Sequence, residues 1–176
     1  MDSGPKRPVP VFPLPDVVLF PHIEIPLYVF ELRYRTMVRE ALSGERLLAL
    51  AVLAPGWERD YHGSPEFHPL ACLARFEEVE WLPNDCYNLR IRGLARVRLG
   101  RVTREFPYRA ARAEIRPQDP YTEDDPLVQI ERRALASALT RLETAGESAA
   151  AVIRPGVPTY ETLVNAGCMT LDLGPR

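Results

Sequence analysis

"FPLPDVVLFPHIEIPLYVFELRYRTMV", residues 12–38, decides what kind of fold this chain builds. Its first half is apolar but interrupted by prolines, and its second half changes period at Phe30. Seven of the chain's 18 prolines fall within the first 26 residues; each removes a backbone donor and fixes φ, so this segment cannot be a helix or a central strand. Edge strand and turn remain: a strand over 7–14, a turn at Pro15 and Asp16, an apolar run over 17–20 ended by Pro21, and a second strand over 24–30. From there Phe30, Tyr34, Met37, Val38, Ala41 and Leu42 recur at offsets 0, 4, 7, 8, 11 and 12, one stripe of a helix that ends near Ser43 and Gly44. Glu31 falls in the first turn, where the helix dipole favours an anion, and four residues before Arg35, the favourable order for an ion pair.

Working outward, "LLALAVL" (47–53) is a short apolar run that predicts a buried strand, and "APGWERDYHGSPEFHP" (54–69) has the composition of a loop. "EVEWLPNDCYNLRIRG" (78–93) predicts a hairpin turning at 83–86. Pairing Trp81 with Leu89 and Val79 with Ile91 gathers the apolar residues on one face, and sets Glu80 against Arg90 and Glu78 against Arg92 on the other. Phe76 is out of phase with Val79, which calls for a β-bulge at Glu77-Glu78. "LARVRLGRVTRE" and "YRAARAEIRP" add two more strands, about seven in all by Pro117, enough for a small, strongly bent sheet or barrel.

After the acidic, proline-containing linker "RPQDPYTEDDP" (116–126) the pattern becomes helical. Leu127, Ile130, Ala134, Leu135, Ala138, Leu139 and Leu142 form one stripe behind Pro126, and shorter helices are expected over 147–154 and 159–167. The predicted organisation is a β-rich subdomain over 1–117 and a helical subdomain over 118–176, an α+β fold with one helix interpolated among the strands.

With 176 residues, 46% of them hydrophobic, the chain can bury a sizeable core, and a net charge of -2 announces no nucleic-acid or membrane partner. No apolar run is long enough to span a bilayer, and the start lacks the basic and apolar regions of a secretion signal. Three widely spaced cysteines argue against a disulfide framework, and a cytoplasmic location is expected.

The opening stretch closely resembles the start of the Lon protease amino-terminal, substrate-binding domain: Pro13-Leu14-Pro15, Phe20-Pro21, Pro26-Leu27, Phe30-Glu31, Arg33-Tyr34 and Met37 match that family's motif in order and spacing. "RIRGLARVRL", with Gly93 followed three residues on by Arg96, is similar to a later strand pair of the family. The resemblance covers nearly the whole chain. It implies a PUA-like β-barrel followed by a helical subdomain, here expected to lack a last helix after "LGPR", and a stand-alone Lon-domain protein. It makes Phe30, Glu31, Arg33 and Tyr34 a mainly structural signature that locks the helix to the barrel. Lon's chemistry needs a P-loop and a Ser-Lys dyad, whereas this sequence has no G-x-x-x-x-G-K-[ST] and a single lysine, Lys6, in a proline-flanked segment. No enzymatic activity is expected.

Other chemistry finds little support in the sequence. His62, His68 and Cys72 do not have the spacing of a tight zinc site, so no metal or other cofactor is expected. No cysteine stands beside a histidine, and the acids near Val79 already have arginine partners. Nine arginines lie within 90–116 against Glu105 and Glu114, which offers an alternative, an RNA-binding PUA-like module; the scarcity of interleaved aromatics argues against it. The expected function is therefore recognition of exposed hydrophobic segments of unfolded protein clients, with or without a separate protease partner. Candidate contacts are Trp57, Tyr61 and Phe67 in the aromatic loop, with Pro21 and Ile23 near the early turn.

Overall fold

The structure, a computed structural model, describes residues 5–61, 63–144 and 158–170. Six strands and three helices follow in the order β1 (Val9–Leu14), β2 (Glu24–Val29), α1 (Leu32–Leu42), β3 (Leu47–Leu53), β4 (Phe67–Trp81), β5 (Tyr87–Arg104), β6 (Ala110–Ile115), α2 (Pro126–Thr144) and α3 (Tyr160–Thr170). The class is α+β with one mixed sheet in the order β2-β5-β4-β3-β1-β6, in which β1 and β3 are parallel. The helix expected over 147–154 and the end of the chain lie outside the described residues.

β6 pairs with β1 at one edge and with β5 at the other, so the ladder β5-β4-β3-β1-β6 returns to its own first strand. β1 thus lies between β3 and β6 instead of at the edge its prolines predict, with Pro10 paired to Ala110 where no donor toward β6 is needed. One buried cluster takes two residues from each of these five strands: Val9 and Val11, Ala49 and Ala51, Ala71 and Leu73, Val97 and Leu99, Ala111 and Ala113. Half of them are alanine because a ring of only five strands leaves little room inside. Alternate residues such as Phe12, Leu48, Leu50 and Cys72 point the other way, into a second cluster with Met37 and Val38 of α1 and Leu163 and Ala166 of α3.

α1 buries Tyr34, Met37, Val38 and Ala41, as the stripe predicts. Phe30 is a correction: it precedes the helix and is 59% exposed. Glu31 is the N-cap, in extended conformation with φ -68 and ψ 134, and its carbonyl accepts the Tyr34 and Arg35 N–H groups. Its carboxylate therefore does not reach Arg35, which instead donates to Asp85 Oδ2 at 2.6 Å.

Six strands replace the expected seven because β5 runs unbroken through Gly93, absorbing an extra residue where Leu73 pairs with Ala95 but Ala74 pairs with Gly93. The 78–93 hairpin also differs from expectation by two residues. Trp81 pairs with Tyr87, Val79 with Leu89, Glu80 with Asn88 and Glu78 with Arg90. A tighter turn, with Asp85 in the left-handed region at φ 60, sets this register. The Glu78–Arg90 ion pair closes to 3.2 Å, Asn88 donates to Glu80 at 2.8 Å, and a register shift between Phe76 and Glu78 marks the expected bulge.

In α2 the predicted stripe divides. Leu139 is buried and Leu135 packs against the same cluster, and a Cβ at Gly167 of α3 would meet both at ordinary contact distance. Leu127 and Ile130 in the first turns are 71% and 58% exposed, although Tyr160 of α3 donates to Glu131 beside them at 2.6 Å. The helices meet the strands through Leu139, Leu163 and Ala166 in the larger cluster, and through Asn165, whose Nδ2 donates to the Pro21 carbonyl at 3.0 Å. No helix among the described residues is long and apolar enough to cross a membrane.

Candidate functional site

The proline-rich lead-in does two things at the α1 end of the molecule. Strand alternation sends Ile25 and Val29 into the core, so Tyr28 faces outward, 50% exposed. Phe30 and Leu32 keep the same two-residue step, at 59% and 65% exposed, and the Tyr28 and Phe30 rings stack at 5.9 Å. Beside Leu32 opens a cavity of about 260 Å³ bounded by Val11, Pro13 and Tyr34, by the backbone at Gly63 and Ser64, and by the β5–β6 turn. That turn, which contains the cis Phe106-Pro107 peptide, holds Phe106 at 85% exposed on the lining of the same cavity.

The motif residues form a knot at the edge of this cavity. Arg33 donates from Nε to Glu31 Oε2 at 3.0 Å, and from its Nη atoms to the Gly63 and Tyr61 carbonyls at 3.1 and 3.0 Å. Tyr61 returns its hydroxyl to Glu31 Oε1 at 2.9 Å, and its ring meets Trp57 edge-on at 5.5 Å. One carboxylate and one guanidinium thus tie the one-turn 3₁₀ helix Trp57–Asp60 and the following loop to the start of α1. Tyr34 packs against Phe12 with ring centroids 4.5 Å apart, and burial pushes its phenol up to about 12. Arg109, another lining residue, stacks over Phe67 at 4.6 Å and donates to the Pro65 carbonyl; burial draws its pKa below the usual value.

Of the expected contact residues, Trp57, Tyr61 and Phe67 are half-buried and sit at this end, folded back against α1 and Arg109. Pro21 and Ile23 are buried, Ile23 completely, and present no surface to a client. Their loop is pinned from beneath: the His22 N–H donates to Gly93 O and the Gly93 N–H to Ile23 O, both at 2.9 Å. Tyr28, Leu32 and Phe106 are exposed apolar residues that the sequence reading passed over; the two-residue alternation from β2 through Leu32 was the available signal.

His62 lies outside the described residues; His68 is half-buried and Cys72 buried, with burial pushing its thiol up to about 12, unsuited to ligate metal as thiolate. Among the described residues no three His, Cys, Asp or Glu side chains are grouped for a metal. Several arginines of 90–116 have internal tasks. Arg90 pairs with Glu78, Arg104 donates to Glu40 at 2.9 Å, and Arg109 is engaged as above.

Residues 8–175 match the family model described as the ATP-dependent protease La (LON) substrate-binding domain. The chain belongs to the Lon substrate-binding domain family. It is 32% identical over 108 residues to the Lon protease of Desulfosudis oleivorans, an overlap covering 61% of this chain and 13% of that protein. It is 28% identical over 134 residues to the Lon protease of Anaeromyxobacter dehalogenans, covering 76% of this chain and 15% of that one. The matched part is thus a small fraction of either protease. Among solved structures, the Lon N-terminal domain protein of Xanthomonas campestris aligns with a TM-score of 0.59 and 26% identity, covering 78% of this chain and 74% of that one. The N-terminal domain of Mycobacterium avium complex Lon protease shares the fold, with a TM-score of 0.58 at 16% identity over 80% of this chain and 70% of that one. These likenesses to Lon domains lend no support to the RNA-binding alternative.

Proposed function

We propose that this Lon-family chain is a non-enzymatic recognition module that binds exposed hydrophobic segments of protein clients at the α1 end. The observation that carries the reading is the exposed apolar set Tyr28, Phe30 and Leu32, joined by Phe106, with Leu32 and Phe106 lining one cavity. A connected set of exposed large apolar side chains beside a concave surface is what a protein-binding site looks like. Burying such side chains on a client supplies affinity, while the fixed Arg33–Glu31–Tyr61 knot keeps the cavity edge from collapsing. Trp57 and Tyr61 support that edge. The closed strand ring serves as the family's small barrel, with the helical part beginning after 117. A separate protease would act on the clients so held.

The test is binding of an unfolded casein-like protein to the chain and to a Leu32→Ser, Phe106→Ser variant. Both positions are exposed, so thermal unfolding is expected to change little while binding is lost. Unchanged binding by a folded variant would remove the set from consideration.

A further inference from the structure

A second surface lies outside the cavity beside Tyr34. Residues Arg96, Arg98 and Gly100 of β5 and Arg112 and Glu114 of β6 alternate outward from the ring. Cross-strand pairing sets Arg98 opposite Glu114, and the same register brings Arg96 opposite Arg116, where the Arg116 N–H donates to the Arg96 carbonyl at 2.8 Å. Arg7 and Arg101 join Arg98 and Arg112 around an open recess of about 390 Å³ whose sole carboxylate among the described residues is Glu114. All six arginines are exposed, and none has an ion pair or side-chain hydrogen bond among the described residues. Four guanidinium groups around one carboxylate, with Arg96 and Arg116 one register step further along the ladder, form a concentrated positive field in a chain whose net charge is -2.

We infer that this outer face of β5 and β6 is a docking surface for an extended acidic protein segment. The inference rests on charge complementarity and geometry. Same-face residues along a strand repeat every ~6.8 Å, so alternate carboxylates of an extended segment match the step from Arg96 to Arg98, while Arg112 and Arg116 stand two such steps apart on either side of Glu114. Arginine's planar fork suits carboxylates in bidentate fashion. Leu70, paired with Arg98 and 59% exposed, offers an aliphatic contact within the basic field, and no aromatic side chain lines the recess to stack a base. These features favour a peptide over a single-stranded nucleic acid.

The experiment titrates a labelled peptide of alternating Glu and Ser into the whole chain at low and high salt. A Lys-Ser peptide and an oligouridine of equal charge magnitude serve as comparisons. The Glu-Ser peptide contains nothing apolar, so its binding is independent of the apolar set at Leu32. Binding of the Glu-Ser peptide that weakens with salt, and by about tenfold in an Arg98→Glu, Arg112→Glu variant, is expected. If that variant fails to fold, Arg98→Gln with Arg112→Gln is expected to weaken binding in the same direction. No binding of the acidic peptide, binding unaffected in a folded variant, or tighter binding of oligouridine would overturn the inference.

Discussion

Replacing Gly93 by alanine should destabilise this protein more than a glycine in a strand would suggest. A Cβ at Gly93 would stand 2.1 Å from the Phe20 carbonyl oxygen and 2.8 Å from its carbon, with Cys72 Sγ at 3.0 Å. The obstacle is backbone, so the loop around Phe20 must move. Moving it threatens the two 2.9 Å backbone hydrogen bonds joining Gly93 to His22 and Ile23, and disturbs the packing of fully buried Ile23. Overpacking costs about 1–3 kcal/mol and each lost hydrogen bond about 1 kcal/mol, so the sum is about 3–5 kcal/mol. That is a large part of a domain's usual stability of roughly 5–15 kcal/mol. Urea unfolding followed by circular dichroism should show a lower midpoint at constant slope. Gly100→Ala is the control: its Cβ would meet only Arg112 O at 3.8 Å, an ordinary contact, so stability should hold or rise slightly. A Gly93→Ala loss below about 1 kcal/mol, equal to an ordinary substitution, would refute the close-approach reasoning.

Tyr61→Phe removes the hydroxyl that Glu31 accepts; amide exchange over 57–64 should quicken at a cost of about 1 kcal/mol, seen by hydrogen-exchange mass spectrometry. At alkaline pH, Tyr34 and Tyr108 are held up to about 12 from 10.0, Tyr34 by burial and Tyr108 by burial and then its bond to Glu40; burial likewise lifts Cys72 from 9.0. A raised folded value gives stability that is intact below the unfolded pKa and lost as pH climbs through the folded one. Melting temperature should therefore fall between pH 9 and 12, with phenolate absorbance from these tyrosines appearing only on unfolding. At the acid end, the Tyr108 hydroxyl and then Arg104 hold Glu40 below its ordinary 4.5, so its contribution is present above that pH and lost as pH falls through the folded value. Glu40→Gln should lower the melting temperature at neutral pH, and the gap from the parent protein should narrow in acid.

The fold was readable where local pattern and burial agree. "LLALAVL" is β3 over its whole length because both faces of that strand are buried, and Pro126 begins α2 as its missing donor allows. The bulge beside Glu77 was legible from one broken alternation. The hairpin register was not, because a slip of two residues leaves every side chain on its original face. Phe30 was misplaced since its spacing from Tyr34 fits a helical stripe as well as it fits the outward step from Tyr28. Ile23 looked available because turns favour the surface; its burial depends on Gly93, some 70 residues away along the chain, letting a carbonyl approach. The candidate cavity needs α1, the 63–64 backbone and the β5–β6 turn together, a juxtaposition no local period encodes.

The closure of the strand ring also sets an order on the ribosome. β1 emerges first, yet its partner β6 follows roughly 100 residues later, since Val9 waits for Ala111. At a synthesis rate of about 5–20 residues per second, that edge of β1 stays open for ~5–20 s. Pro13 lies on it, two residues on from Val11 and so facing the same side, from which the Val11 N–H donates to the Arg109 carbonyl once β6 arrives. A proline on a waiting edge denies a nascent neighbour one of the donors it would need to add a strand, protecting the chain before its last strand arrives.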